Sequence, residues 1–312
     1  MNLTDPIFTD EAKARKHLEA TRWPNGPECP HCGVVDQATQ FKGKAHRAGV
    51  YKCNACGEQF TATVGTVFER SKIPLNKWLL ANYLMNASKK GVSAHQLHRT
   101  LGVTYKTAWF MAHRLRAAMA ETNPAPLGGE GKTVEADETV IGGKERNKRL
   151  SKRNPANIGA VGKSVAVTLV ERNGRARSFH VAHVSGATLG PILFKNVHRK
   201  SALMTDTSGA YFHAGKQFAR HETVNHGIEE YVRGDAYSNT VEGFFSILKR
   251  GVIGVYHHVS EAHLHRYLAE FDFRYSNRIA LGVNDEARSD EALRGIGGKR
   301  LTYRRTREAA HA

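Results

Sequence analysis

The chain has 312 residues, with 46 Lys and Arg against 29 Asp and Glu and a formal net charge of +17. That length suits two or three domains. No stretch approaches the roughly 18 uninterrupted apolar residues of a membrane span, and the first residues lack a secretory leader's basic start and apolar run. The reading at this level is a soluble, cytoplasmic protein of a reducing compartment. A positive charge of this size points to a polyanionic partner, with a basic surface kept only for solubility as the plainer alternative.

Residues 1–24 read as an N-terminal leader. Residues 25–70 then hold all four cysteines: Cys29 and Cys32 in "CPHCG", Cys53 and Cys56 in "CNACG", with 20 residues between the pairs. Each C-x-x-C turn aims two sulfurs at one point, and two such turns make a closed tetrahedral thiolate site. One structural Zn²⁺ in a zinc ribbon is expected; disulfides fit poorly without a secretory signal. His31 and His46 lie nearby, but four cysteines already complete the coordination.

Residues 71–120 read as three helices. Pro74 opens the first, with Leu75, Trp78, Leu79 and Met85 as its apolar stripe. Ser93 and Gln96 form a capping box for the second, which stops at Gly102, and Thr104 caps the third. There Ala108, Ala112, Leu115 and Met119 share one face, while Lys106, Phe110 and His113 fall roughly opposite, with Arg114 following. A short helix, a turn containing Gly and a helix with a cationic outer face make the helix-turn-helix pattern. Lys106, Phe110, His113 and Arg114 are its expected DNA contacts; a plain helical bundle with a basic solvated side is the alternative.

Residues 121–132, "ETNPAPLGGEGK", form a linker. Residues 133–282 carry α/β signals. Strands are read in "KTVEADETVIGG", "KSVAVTLVERNG" and "RARSFHVAHVSG", the last two joined at Asn173-Gly174. A short helix, a fourth strand ending at Asp206, a fifth strand in "ARHETVNH" and one long helical stretch from Asn239 complete an RNase H-like order. The loop "KERNKRLSKR" holds six basic residues, Lys148, Arg149, Lys152 and Arg153 among them, and one acid. It reads as a solvated loop or a DNA-gripping arm. Residues 283–312 read as a basic tail without fixed structure.

The first strand crowds Glu135, Asp137 and Glu138 together, although acids are poor strand formers. On a strand Glu135 and Asp137 share a face and Glu138 points to the other. Asp137 is the candidate acid of this strand, with Glu135 and Glu138 as supporting groups or partners of nearby Lys and Arg. Between Asp206 and Glu242 lie 35 residues, and Lys249 follows Glu242 by seven, which returns it to the same helix face. Like charges about 4 Å apart repel by roughly 4 kcal/mol at an effective dielectric of 20. Converging acids therefore call for cations, and two Mg²⁺ about 3.5–4 Å apart would activate water and steady the leaving oxygen of a phosphoryl displacement. Asn239 and Glu242 also stand at the spacing of a capping box, which would explain both without chemistry.

The motifs "CPHCG…YKCNACGEQFTATVGTVFE", "VEADETVIGGKE", "MTDTSGAY" and "NTVEGFFSILKRGVIGVYHHVS…HLHRYLAEFDFRYSNR" span about residues 25–280. In that order they resemble the DDE transposases of bacterial insertion sequences, in the ISXO-type group with an N-terminal zinc ribbon. The resemblance implies a multidomain chain with a small zinc ribbon, an all-α helix-turn-helix domain and an α/β RNase H-like (integrase-type) catalytic domain. It implies Asp137 and Asp206 as ligands of Mg²⁺ (or Mn²⁺), two ions per active site, with Lys249 as the lysine after the third position. That position is Asn in some members and Glu in others, and this sequence offers both Asn239 and Glu242; charge favours Glu242, since an amide cannot neutralise a divalent cation. The implied activity is cleavage and strand transfer at the terminal inverted repeats of the element and in target DNA. A homo-oligomer assembled on DNA in the bacterial cytoplasm, at the nucleoid, would perform it. The alternatives are a DNA-binding regulator without catalysis, an RNase H-like nuclease that cuts without joining, and a zinc-binding protein–protein adaptor.

Overall fold

The computed structural model describes residues 2–43, 45–158, 161–225 and 232–302. The chain divides into two compact units, one of Met1–Ser88, Val92–Ala120 and Asn284–Ala312, the other of Lys89–Gly91 and Glu121–Val283. No helix among the described residues is long and apolar enough to cross a membrane.

The first unit opens with α1 (Glu11–Arg22), started by the Asp10 carboxylate, which accepts hydrogen bonds from the Ala12 and Lys13 amides. A small antiparallel sheet follows in the order β1 (Ala38–Gln40), β2 (Tyr51–Cys53), β3 (Gln59–Phe60). Ala14 and Leu18 of α1 are fully buried. At its end Trp23 packs edge-on against Tyr51 and Phe60, with ring centroids 5.4 and 5.7 Å away. The segment expected as a leader is therefore a packed helix belonging with the small sheet. Next come α2 (Leu75–Ala87), α3 (Ala94–Leu101) and α4 (Tyr105–Met119). Ser93 accepts from the Gln96 amide, Gly102 takes the left-handed conformation at φ 61, and Thr104 accepts from the Thr107 amide. These are the stops and starts the sequence announces.

The second unit is built on β4 (Thr133–Ile141), β5 (Ser164–Glu171), β6 (Ala176–Val181), α5 (Gly186–Asn196), β7 (Ala202–Asp206), α6 (Gly209–Gly215) and β8 (Arg220–Val224). After these come a short pair, β9 (Val232–Arg233) and β10 (Ala236–Tyr237), then α7 (Asn239–Gly251) and α8 (Glu261–Ser276). The five long strands lie in the order β6-β5-β4-β7-β8, antiparallel from β6 to β4 and parallel from β4 to β8. This mixed sheet is consistent with an RNase H-like core. Alternation along the strands gives it two apolar faces. Val134, Ala136, Val167 and Leu169 pack with Leu189, Leu193 and Tyr211 of α5 and α6. Ile141, Ala166 and Val170 pack with Val241, Phe244 and Leu248 of α7 and Leu264, Leu268 and Phe271 of α8. The single long helix expected after Asn239 is interrupted: α7 passes into a π-turn over Val252–Tyr256, and α8 starts anew at Glu261.

The expected tail is corrected over its first part, while residues 303–312 lie outside the described residues. Residues 285–294 form α9 (Asp285–Arg294) in the first unit, started by Asn284, which accepts from the Ala287 amide. Ala292, Leu293 and Ile296 are buried. Asn82 of α2 donates to the Ser289 carbonyl and hydroxyl at 2.9 and 2.8 Å, and Lys299 donates to the last carbonyls of α4, at Ala118 and Ala120. Gly295 passes so close to α4 that a Cβ there would meet the Ala118 oxygen at 2.4 Å.

Two expectations follow. Leu293→Ala should cost about 2–5 kcal/mol, as for other fully buried leucines, where a loose tail would lose nothing; denaturant unfolding of the zinc-loaded chain measures it. In the second unit, Asp272 of α8 accepts from the Ser178 amide and hydroxyl at 2.7 and 2.6 Å, and burial pushes its carboxyl from 3.8 up to about 7. A folded-state pKa raised this way contributes stability that is present below about 4 and lost as pH rises through about 7. Stability should fall over that window, and Asp272→Asn should flatten part of the fall, read by melts from pH 4 to 8.

Candidate active site

The four cysteines sit on two matching turns. The Gly33 amide donates to the Cys29 carbonyl and the Gly57 amide to the Cys53 carbonyl, and both glycines hold positive φ, at 76 and 78. All four sulfurs lie within 4.8 Å of one another. Cys29 and Cys56 are 3.7 Å apart and Cys32 and Cys53 are 3.6 Å apart. A tetrahedral zinc with bonds of about 2.3 Å sets its sulfurs about 3.8 Å apart. The donor set fits a structural zinc as the spacing predicts, and the Cys56 and Ala55 amides help lower the Cys53 thiol to about 6.

The helical contacts expected for DNA fare differently. Lys106 is exposed in the first turn of α4 beside exposed Tyr105. His113 is wholly buried. Arg114 is half-buried, donates to the Glu69 and Leu301 carbonyls and lies over the half-buried Phe110 ring. The expectation treats α4 as covered on one side, whereas Met111, His113 and Arg116 are buried along with the apolar stripe. His113 is thus removed from the contact set, and Phe110 and Arg114 are engaged within the unit.

In the second unit two acids lie just beyond one ladder. The parallel β4–β7 register ends at the pair Glu135 and Met204, Asp137 and Asp206 each lie two residues further along their strands, and the Asp206 charge acts on Asp137. Glu242 approaches from the first turn of α7. Burial raises the Asp137 carboxyl to about 7; the Glu138 amide opposes this by donating to Asp137 Oδ1 at 2.7 Å, and the charges of Glu138, Asp206 and Glu242 add to the rise. Asp137 therefore feels both other acids, although the oxygens of the three do not all lie within 4.8 Å, as the cysteine sulfurs do. Glu138 points to the other face as alternation requires, and accepts from the buried Tyr211 hydroxyl at 2.7 Å. Lys249 lies exposed in the last turn of α7.

The capping box that the Asn239 and Glu242 spacing would allow, the alternative to a ligand role, does not form. Ser238 is the N-cap, Asn239 is the first helical residue with its side chain exposed, and the Ser238 hydroxyl lies 3.4 Å from Glu242 Oε1. A residue the sequence left undecided does the anchoring. Glu135 is fully buried and accepts from the Thr240 and Val241 amides at 2.8 and 3.0 Å and from the Thr240 hydroxyl at 2.7 Å. Arg172 donates to it at 2.6 Å and also donates to the Asp235 and Tyr237 carbonyls, with its guanidinium 3.4 Å from the centre of the Tyr237 ring. Strand alternation placed Glu135 on the Asp137 face; nothing local to it showed that its partner lies 105 residues away.

The basic loop is locally folded. Glu145 accepts from the Asn154 amide at 2.8 Å and pairs with Lys148 at 2.7 Å, while Arg153 donates to the Lys148 and Arg146 carbonyls. Lys148, Arg149, Lys152 and Arg153 are all exposed. Gly159 and Ala160 lie outside the described residues.

The Glu135 anchor carries a quantitative expectation. Glu135→Leu strands Arg172 and the two helix amides, and breaking a buried pair on one side costs about 3–5 kcal/mol. Denaturant unfolding should register that loss; a change under about 1 kcal/mol, the worth of an ordinary hydrogen bond, would contradict the anchoring role.

Comparison with known proteins converges on these features. Residues 126–276 match the ISXO2-like transposase domain, and residues 9–59 match the transposase zinc-ribbon domain, a span that includes α1. The chain is also 30% identical over 280 residues to the uncharacterized protein in transposable element ISH50 of Halobacterium salinarum, covering 86% of this chain and 91% of that protein. With a four-cysteine ribbon, a mixed α/β sheet and these matches along most of its length, the chain belongs to the ISXO2-like transposase family.

Proposed function

We propose that this protein binds the terminal repeats of its own insertion sequence, cuts DNA there and transfers the strand into target DNA. The observation that supports the reading is that the charges of Asp206, at the end of β7, and Glu242, in the first turn of α7, both act on the buried Asp137 of β4. Three carboxylates are hard oxygen donors suited to Mg²⁺ or Mn²⁺. Two such ions, when bound, would supply an activated water and a counter-charge for the leaving oxygen. The protein's own part is positional. Asp137 is presented by a central strand, Asp206 by the end of its neighbour, and Glu242 by a helix locked through Glu135. Lys249 and Arg250, exposed further along α7, would hold the phosphates on either side of the scissile bond.

DNA recognition falls to α3 and α4 as a helix-turn-helix, with Lys106 and Tyr105 reaching base edges from the first turn of α4, where such helices make their contacts. The exposed lysines and arginines of the basic loop add a sequence-blind grip that weakens with salt. The working form is a homo-oligomer on DNA, in the cytoplasm at the nucleoid. A nuclease that cuts without joining, or a regulator that only binds, would share the ribbon and α4 but differ in products.

Glu242 takes the third ligand position in this reading, because helix anchoring is already supplied by Glu135 and the amide of Asn239 brings no charge. In a Mg²⁺-dependent cleavage assay on a repeat-bearing duplex, Glu242→Gln should lower the rate about a thousandfold or more while leaving repeat binding intact, as expected when several kcal/mol of charge stabilisation are lost. Asn239→Ala should lose far less. If the glutamine variant cuts at near-normal rate and the alanine variant is dead, Asn239 holds the position instead. Products carrying target DNA joined to the repeat separate transposition from simple cutting.

A further inference from the structure

α7 does not stop at a cap. It runs into the π-turn at Val252–Tyr256, a form concentrated at functional sites. The chain then reverses through His257, at φ 59 and ψ −44, and the His258 amide donates to the Tyr256 carbonyl at 2.6 Å. A three-residue turn with positive φ is the rare, strained γ form, and a non-glycine residue stays there only when its surroundings over-determine it. Here they do. The Tyr256 hydroxyl donates to the buried Glu270 at 2.6 Å, and its ring packs on Tyr267 and Phe271. Gly251 lies so close to α8 that a Cβ would meet the Phe271 ring at 2.4 Å.

What this pinned turn presents outward is Ile253, 70% exposed, followed by Gly254 with open space around it. An isolated exposed isoleucine is ordinary. This one ends an exposed ridge that runs Asn239, Glu242, Lys249, Arg250, Ile253 at helical spacing, with exposed His257 and His258 beside it. The ridge holds an acid of the cleavage site at one end, two cations in its second half and a branched apolar tip at the other end.

We propose that Ile253 is a wedge that enters the base stack of DNA lying along this ridge. The inference rests on the reading that α7 faces DNA during cleavage. From Glu242 to Ile253 is 11 residues, about 16 Å of helix, or about five nucleotide steps at 3.4 Å each. Lys249 and Arg250 grip intervening phosphates while the isoleucine opens a step, as apolar side chains do in kinked duplexes. The strained turn keeps the tip from folding back onto its own helix.

The test uses the full chain and repeat-bearing duplexes with 2-aminopurine placed singly along the strand. Fluorescence should rise on binding at one step about five from the scissile phosphate, should vanish with Ile253→Ala and persist with Ile253→Leu. Cleavage by Ile253→Ala should fall about 10- to 100-fold, about 1.4–2.7 kcal/mol, and recover on a duplex mismatched at that step, where the opening is already supplied. Binding and cleavage with no Ile253-dependent rise would overturn the wedge. So would an equal loss on matched and mismatched duplexes, the result expected if Ile253 instead seats a second copy of the chain. A chain that binds the repeat in no form would sink the transposase reading itself, and the wedge with it.

Discussion

Glu135 lies at the centre of the mixed sheet with no exposed surface, where a carboxylate without partners would be heavily penalised. Its partners are the second and third amides of α7, the Thr240 hydroxyl and the Arg172 guanidinium. The amides are groups that every helix leaves unpaired and that carry the positive end of its dipole. One anion thus satisfies a helix terminus, neutralises an arginine and fixes where α7 meets β4. Arg172 extends the clamp to the segment before the helix through the Asp235 and Tyr237 carbonyls. Every residue argued to act from α7 inherits its position from this contact.

Two residues along the same strand, the same face poses the opposite electrostatic problem. Asp137 has burial and three neighbouring acids against it and only one amide for it, so its carboxyl rises to about 7. The contrast between Glu135 and Asp137 separates a carboxylate matched by donors from one that is not. The first is surrounded by donors, and the second faces carboxylates at the end of a ladder. A hard cation bound there, as proposed above, would relieve that repulsion.

Much of this was legible in the sequence where the signal is local. Two C-x-x-C-Gly turns specify their own sulfur geometry, and period-2 patterns placed β4, β5 and β6 and assigned Glu138 to the face opposite Asp137. Signals that depend on distant partners were not legible. α9 is polar over most of its surface, and its helix is held by Leu293, Ala292 and the Asn82–Ser289 bonds contributed by an element some 200 residues earlier. α1 depends in the same way on packing at Trp23, Tyr51 and Phe60. His113 was assigned outward because a two-faced helix has an exposed side, an assumption that fails for a helix covered nearly all round. The break after α7 was hidden because "GVIGVYHHV" carries no proline; its strain sits in the backbone of His257.

The charge order of α7 shows why function and stability are hard to separate by pattern alone. Acids near the first turn and Lys249 and Arg250 in the last are what the helix dipole favours, and they are also what metal at one end and phosphate further along would require. Position cannot decide between the two demands, but saturation can. The helix has its anion in Glu135, buried and bonded to the Thr240 and Val241 amides of its first turn. A second acid in the same turn adds little to the helix, since the dipole is worth only about 0.3–1 kcal/mol to an exposed charge, while it sharpens the repulsion on Asp137. The helix therefore gains little from Glu242, which leaves the proposed divalent cation as the larger claim on its charge.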